Sequence, residues 1–290
     1  MKALVIVSSL LASLVISASA AAVDNGTPDG TRHPNVGLLG FDFDGDGASP
    51  PYFLCTGSVL SDRTFLTAAH CIQVFGDDVQ WVASLDPGSP TAPAFAPGFV
   101  FDDFPFEIAA AVERPIATVV HPRFDPESLE HDLAVLVFAP GTFTVRPIEL
   151  PRPGLLDALA RRPGLADASF TLVGYGADPD YSAQVPRYFI RGYRQTASAP
   201  FLALDARQLH LQGAGASGQG GLCLGDSGSP QFIRGSGIAV SQLSAVGETC
   251  QEIVAQRLDT PADRGFLARY ANAGRHEAPG SRRHHTTAGG

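Results

Sequence analysis

The chain has 290 residues, 44% of them hydrophobic and 17% charged, with a formal net charge of −9. So much apolar material with so little charge excludes an intrinsically disordered protein, and the acidic balance argues against a nucleic-acid partner, which calls for a basic face. The 31 glycines and 23 prolines exceed the usual combined share of about 12% without reaching the ~25–30% of low-complexity chains. They point to many turns and short strands rather than long helices.

Lys2, the only lysine, precedes an apolar run over residues 3–16, and Ala18, Ser19, Ala20, Ala21 and Ala22 follow it. The run is too short to span a bilayer, and small residues after such a run mark a secretory signal. An N-terminal core helix is the competing reading, disfavoured by the position beside Met1 and Lys2. Residues 1–22 are read as the signal peptide, with cleavage after Ala20 or after Ala22. No other stretch approaches ~18 uninterrupted apolar residues, so a secreted protein, free of membrane once the signal is removed, is expected.

Residues 23–273 form the expected folded body. Short apolar, β-branched runs recur between turn signals at residues 36–39, 53–60, 116–120, 133–138, 170–173 and 237–243, the pattern of barrels or sandwiches. Residues 133–138 are apolar at every position, which predicts a strand buried on both faces. Residues 140–165 are rich in Pro, Arg and Gly and are read as the crossover between two halves, with a short helix at 155–161. A clearer helix is predicted over residues 261–271. Thr260 caps it, Pro261 suits its first turn, Asp263 completes a weak capping box, and Phe266, Leu267 and Tyr270 share one face. Residues 274–290 are polar and glycine-rich and are expected to be a disordered tail.

Cys55, Cys71, Cys223 and Cys250 are the only cysteines. An even count in an exported chain suggests two disulfides, and composition alone leaves all three pairings open. No C-x-x-C pair favours metal instead. The run Asp42-Phe43-Asp44-Gly45-Asp46-Gly47 looks like the start of a calcium loop, but its twelfth position is Phe53 rather than a bidentate acid, so an acidic turn is expected.

Three segments carry the chemistry: Leu66-Thr67-Ala68-Ala69-His70-Cys71, His131-Asp132-Leu133-Ala134, and Gly225-Asp226-Ser227-Gly228-Ser229-Pro230. A serine hydroxyl needs a base within hydrogen-bond reach to act as a nucleophile. Histidine titrates near neutrality, and a buried carboxylate fixes its tautomer and tolerates its positive charge. Read singly, each segment has a plain structural reading: a core histidine, a turn aspartate, a tight serine turn. In the order His, Asp, Ser they resemble the chymotrypsin/trypsin-like serine peptidases over residues 23–270. An esterase reading fails, because Ser229 stands where G-x-S-x-G needs glycine and the order is not Ser-Asp-His.

The resemblance implies an all-β fold of two packed antiparallel six-stranded barrels with a C-terminal helix. It implies a monomeric serine endopeptidase acting on protein or peptide substrates without metal or organic cofactor. Ser227 is then the nucleophile, His70 the general base and acid, and Asp132 the orienting carboxylate. Backbone N–H groups of Gly225 and Ser227 form the oxyanion hole. Val23, in Val23-Asp24-Asn25-Gly26, is the new N-terminus whose α-amino group pairs with Asp226. No basic residue precedes Val23, so signal cleavage after Ala22 would expose it directly. The resemblance also pairs Cys55 with Cys71 and Cys223 with Cys250. Gly221 stands at the base of the primary pocket, lined by Ser244, Ala245 and Val246, with Ile253 on its far side and Ser244 within reach of Asp132. With no acid at 221 and Val246 narrowing the pocket, small to medium apolar residues are expected at the cleavage site. His131, the residue before Asp132, should point away from the site, and His33, His121 and His210 have no motif around them. The departures at Gly221, Ala245 and Val246 also admit a catalytically silent peptidase fold that serves as a binding module.

Overall fold

The computed structural model describes residues 23, 25–43, 45, 50–76, 78–91, 98–99, 106–108, 110–162, 164–180, 187–213 and 220–271. The expected signal peptide, Asp24, Asp44, Asp46, Gly47 and the expected tail lie outside them.

Strands dominate. In the N-terminal half they are β1 (Thr27–Pro28), β2 (Val36–Asp42), β3 (Tyr52–Ser61), β4 (Thr64–Thr67), β5 (Gln80–Ser84), β6 (Gly98–Phe99), β7 (Phe106–Glu107), β8 (Ala117–Val120) and β9 (Ala134–Val137). The C-terminal half adds β10 (Ser169–Gly174), β11 (Ala177–Asp180), β12 (Arg187–Ile190), β13 (Gln195–Leu204), β14 (Gln208–Gln212), β15 (Pro230–Ile233), β16 (Ala239–Val246) and β17 (Glu252–Arg257). Helices α1 (Ala69–Gln73), α2 (Leu155–Ala160) and α3 (Pro261–Ala271) complete the described elements.

In the second sheet β13, β10, β15, β16, β17 and β14 pair in that order, and β14 returns to β13, closing a six-stranded barrel; β1 adds to β13 from outside. The first sheet runs β5-β2-β3-β4-β9-β8, with β7 on β3. It is a half-barrel whose far edges are joined by one antiparallel bridge, Ala83 to Glu113. The expected two six-stranded barrels with a C-terminal helix are present, one closed and the other a half-barrel. Closure of β8 on β5 stops at that bridge.

Each sheet has its own apolar core, and two further clusters join them. Leu38, Phe53 and Val82 pack with Tyr175, with Ala177 and Ile190 of a third, three-stranded sheet (β11-β12-β6), and with Val246 of the second sheet, while Leu66, Leu133 and Val135 pack with Val173, Phe232, Leu258, Phe266 and Leu267. Residues 133–136 are buried without alternation, because this strand faces its own core on one side and the joining cluster on the other. In α3 the Asp263 N–H donates to Thr260 Oγ1 at 3.2 Å, and Phe266 and Leu267 are buried, each burial stabilising by about 1.5–3 kcal/mol.

A fully buried arginine, unforeseen in the sequence, ties the N-terminal segment to the closed barrel. Arg194 donates through Nε to Asp29 Oδ2 (2.9 Å) and through its terminal nitrogens to the carbonyls of Val36 (2.8 Å) and Gly30 (2.6 Å). Removing one partner of such a pair leaves an uncompensated buried charge, at a cost of about 3–5 kcal/mol. The bridges Cys55–Cys71 and Cys223–Cys250 are present, and each closes a loop of a size worth about 3 kcal/mol in the loop-entropy account.

Candidate active site

His70 does not extend a strand, as its apolar neighbours suggest. β4 ends at Thr67, Ala68 is extended (φ −79°, ψ 143°), and His70 lies in the first turn of α1. This turn lets both its backbone and its ring face one carboxylate. The His70 N–H donates to Asp132 Oδ1 at 2.9 Å, and Nδ1 lies 2.8 Å from Oδ2. Asp132 is fully buried, while the His70 side chain is 27% exposed. An ionised carboxylate only accepts, so Nδ1 carries the proton and Nε2 is left basic.

The loop with Ser227 docks against these segments. The Thr56 N–H donates to the Ser227 carbonyl (2.9 Å), Thr56 Oγ1 to the Gly225 carbonyl (3.1 Å), and the N–H of Gly228 to Leu243 O (2.8 Å). Gly228 lies so close to Ala68 that a Cβ there would sit 2.8 Å from the Ala68 nitrogen. Ser227 is therefore held beside the turn that carries His70. Among the described residues no hydrogen bond yet joins Ser227 Oγ to His70 Nε2, a contact that in unliganded sites is often long and tightens with substrate. The N–H groups of Gly225 and Ser227 likewise meet no acceptor among the described residues. Gly225 has φ +88°, which a residue without Cβ adopts freely.

Asp226 is fully buried, and burial pushes its carboxyl up to about 7 against the opposing N–H donors of Cys223, Gly176 and Tyr175. No cation pairs with it among the described residues. Its oxygens crowd Gly174 and Gly176, where a Cβ would fall 1.9 and 2.4 Å from the carboxyl group, so both positions require glycine. Gly174 pairs with Gln195 in the sheet. The Gln195 side chain in turn borders Gly26, whose N–H donates to the Val23 carbonyl. Val23 is fully buried in the closed barrel's core. Among described residues, nothing pairs with either polar atom of the Gln195 amide.

Gly221 is buried. Val246 stands opposite Ile253 in the β16–β17 ladder, and the register shifts between Leu243 and Ala245. Ser244 falls on that irregularity and its Oγ has no partner among the described residues, so the expected contact with Asp132 is not made. The side chain that does reach Asp132 from β16 is Gln242, whose Nε2 donates to the Asp132 carbonyl at 2.7 Å and to the Thr67 carbonyl at 3.0 Å. Gln242 was not among the expected residues. A lone amide within the run 237–243 is its only mark in the sequence.

Two clusters bring metal-capable side chains together. Cys55, Cys71 and His70 form one, but its sulfurs are joined in a disulfide and offer no thiolate. The other is His121, His131 and Asp263. His131 points away from Asp132, with Nδ1 2.6 Å from Asp263 Oδ1, and its ring stacks on His121. The second nitrogen of each imidazole faces a donor: Arg123 N–H for His121 and the Arg123 guanidinium for His131. Metal ligation would put a proton on those nitrogens, so the donor set suits two neutral imidazoles sharing one carboxylate. Burial holds His121 down near 4. In the acidic turn, Asp42 accepts from Gly45 N–H (3.1 Å) and from Arg114 (2.9 Å), the contacts of a capped turn rather than of a calcium ligand. His33 pairs with Asp29, and His210 with Asp205 and Glu252.

Transmembrane protease serine 9 of Rattus norvegicus is 26% identical over 183 residues, which are 62% of this chain and 15% of that protein. Among solved structures, the chain is similar to HL collagenase (TM-score 0.53, 17% identity, covering 78% of this chain and 89% of that one). It is also similar to human heparin binding protein (0.57, 16%, 88% and 98%) and to GrC (0.58, 15%, 84% and 97%). At such identities these structures speak for the fold alone. The trypsin family model matches residues 106–263, more than half of the chain, and with this match the chain belongs to the trypsin family of serine-type endopeptidases.

Proposed function

We propose that the protein is a secreted serine endopeptidase that cleaves peptide bonds through an acyl-enzyme on Ser227. The observation that carries this reading is the His70–Asp132 pair, set beside a serine whose own N–H and that of Gly225 are free to receive an oxyanion. His70 Nε2 takes the Ser227 proton as Oγ attacks the scissile carbonyl, then returns it to the leaving amine, while Asp132 holds the imidazolium. Each oxyanion donor lowers the barrier by about 2.7–4 kcal/mol. None of these steps calls on a metal or organic cofactor.

Signal cleavage after Ala22 would free the Val23 α-amino group to pair with Asp226. The burial of both residues and the lack of a cation at Asp226 among the described residues support this. Among the described residues no helix is long and apolar enough to cross a membrane, and two disulfides suit an oxidising compartment. The Val246–Ile253 pair supports a shallow primary pocket that takes small to medium apolar residues. Digestion of a peptide library tests the reading: cleavage after such residues is expected, with a loss of about a millionfold in kcat for Ser227→Ala. Substantial turnover by that variant, or cleavage after Arg or Lys alone, would overturn it.

A further inference from the structure

We infer that Gln242 is a positioning residue for the proposed catalytic machinery, a clamp that sets the half-barrel's catalytic pair against the closed barrel's nucleophile. The inference rests on the reading of His70, Asp132 and Ser227 given above. β4 and β9 are paired up to Thr67 and Ala134. Beyond that pair the chains part: one goes to Ala68 and the turn with His70, the other comes from Asp132. The Gln242 amide enters this fork from the opposite sheet. It donates to Thr67 O at 3.0 Å and to Asp132 O at 2.7 Å, one N–H to each arm.

The amide orientation follows from its partners, since only the NH2 end can serve two carbonyls. Its Oε1 is buried with no partner among the described residues, and Gln242 is 1% exposed. An apolar residue would fill this place without an orphaned oxygen, so the amide acts through the two bonds it makes. The neighbouring Leu243 accepts from Gly228 N–H (2.8 Å) and donates to Ser229 O (2.9 Å). Two adjacent residues of β16 thus hold all three segments: Leu243 the loop of Ser227, Gln242 the arms of His70 and Asp132. Loss of the amide frees the fork to spread, while the backbone bonds of Leu243 keep β16 and its expected pocket residues Ala245 and Val246 in place.

Gln242→Met keeps the length and removes both donors. Rates are counted per active site, titrated with an organophosphonate, so that lost folding is not read as lost catalysis. For Gln242→Met, kcat is expected to fall about 10- to 100-fold, the scale of a misplacement near 1 Å, with KM within about twofold of the parent. An unchanged kcat per titrated site, or a loss wholly in KM, would overturn the proposal. If Gln242→Met does not fold, Gln242→Asn, which keeps the donors one methylene short of the fork, is judged by the same criterion. Activity persisting in Ser227→Ala would instead count against the reading of Ser227 itself.

Discussion

Asp132 receives three hydrogen bonds from two parts of the chain: two on its carboxylate from His70 and one on its carbonyl from Gln242. The carboxylate bonds fix the imidazole tautomer, so Asp132→Asn should leave the ring in place but present the wrong nitrogen to Ser227. A fall of about ten-thousand-fold in kcat, with thermal stability little changed, is expected. Assays at neutral pH on the folded variant check this, and a loss below tenfold would speak against Asp132 as the orienting group. At this scale the sequence was legible where residue type is dictated by chemistry. His70, Asp132 and Ser227 each have a plain structural reading alone and were marked by their joint order; the structure brings His70 and Asp132 together. Gln242, Gly174 and Gly176 were not legible, because what they touch lies fifty or more residues away. A glutamine in an apolar strand gives no sign of which carbonyls it will meet.

Among the elements, strands were readable and the turn at His70 was not. β8 and β9 fall within the apolar runs, and β2, β3, β10 and β16 overlap theirs and extend beyond them, because burial on one or both faces demands such residues. α1 is a single turn with no side-chain cap, too short to leave a periodic signal. Closure of only one barrel depends on pairings between distant strands, which local pattern does not encode. The joint between β10 and the loop of Asp226 makes a pH prediction. The folded carboxyl lies near 7, above its ordinary 3.8. The native state therefore binds its proton more tightly than the unfolded chain, and the stability this confers is full below about pH 4 and lost as pH rises through 7. In the full-length chain, urea midpoints should decline across that window. In a chain beginning at Val23, the α-ammonium paired with Asp226 should hold the carboxylate ionised and flatten the decline. Equal slopes for the two chains would remove Val23 from the proposed pairing.

Across the whole molecule, the candidate site exists because two separately cored sheets meet. His70 and Asp132 belong to the half-barrel, Ser227 to the closed barrel, and Thr56, Gln242 and the shared apolar clusters hold them in register. The joined clusters are far larger than any pair of hydrogen bonds, so they fix the approach of the sheets to within the range the polar contacts then refine. The measurement that tests this assembly most directly is covalent labelling by an organophosphonate, followed by mass analysis of the peptide containing Ser227. The chain beginning at Val23 should take one label, on Ser227, and His70→Ala should take it at least a hundredfold more slowly, the lower range for loss of a general base. A folded chain that takes no label at Ser227, or takes it as fast without His70, would contradict the account.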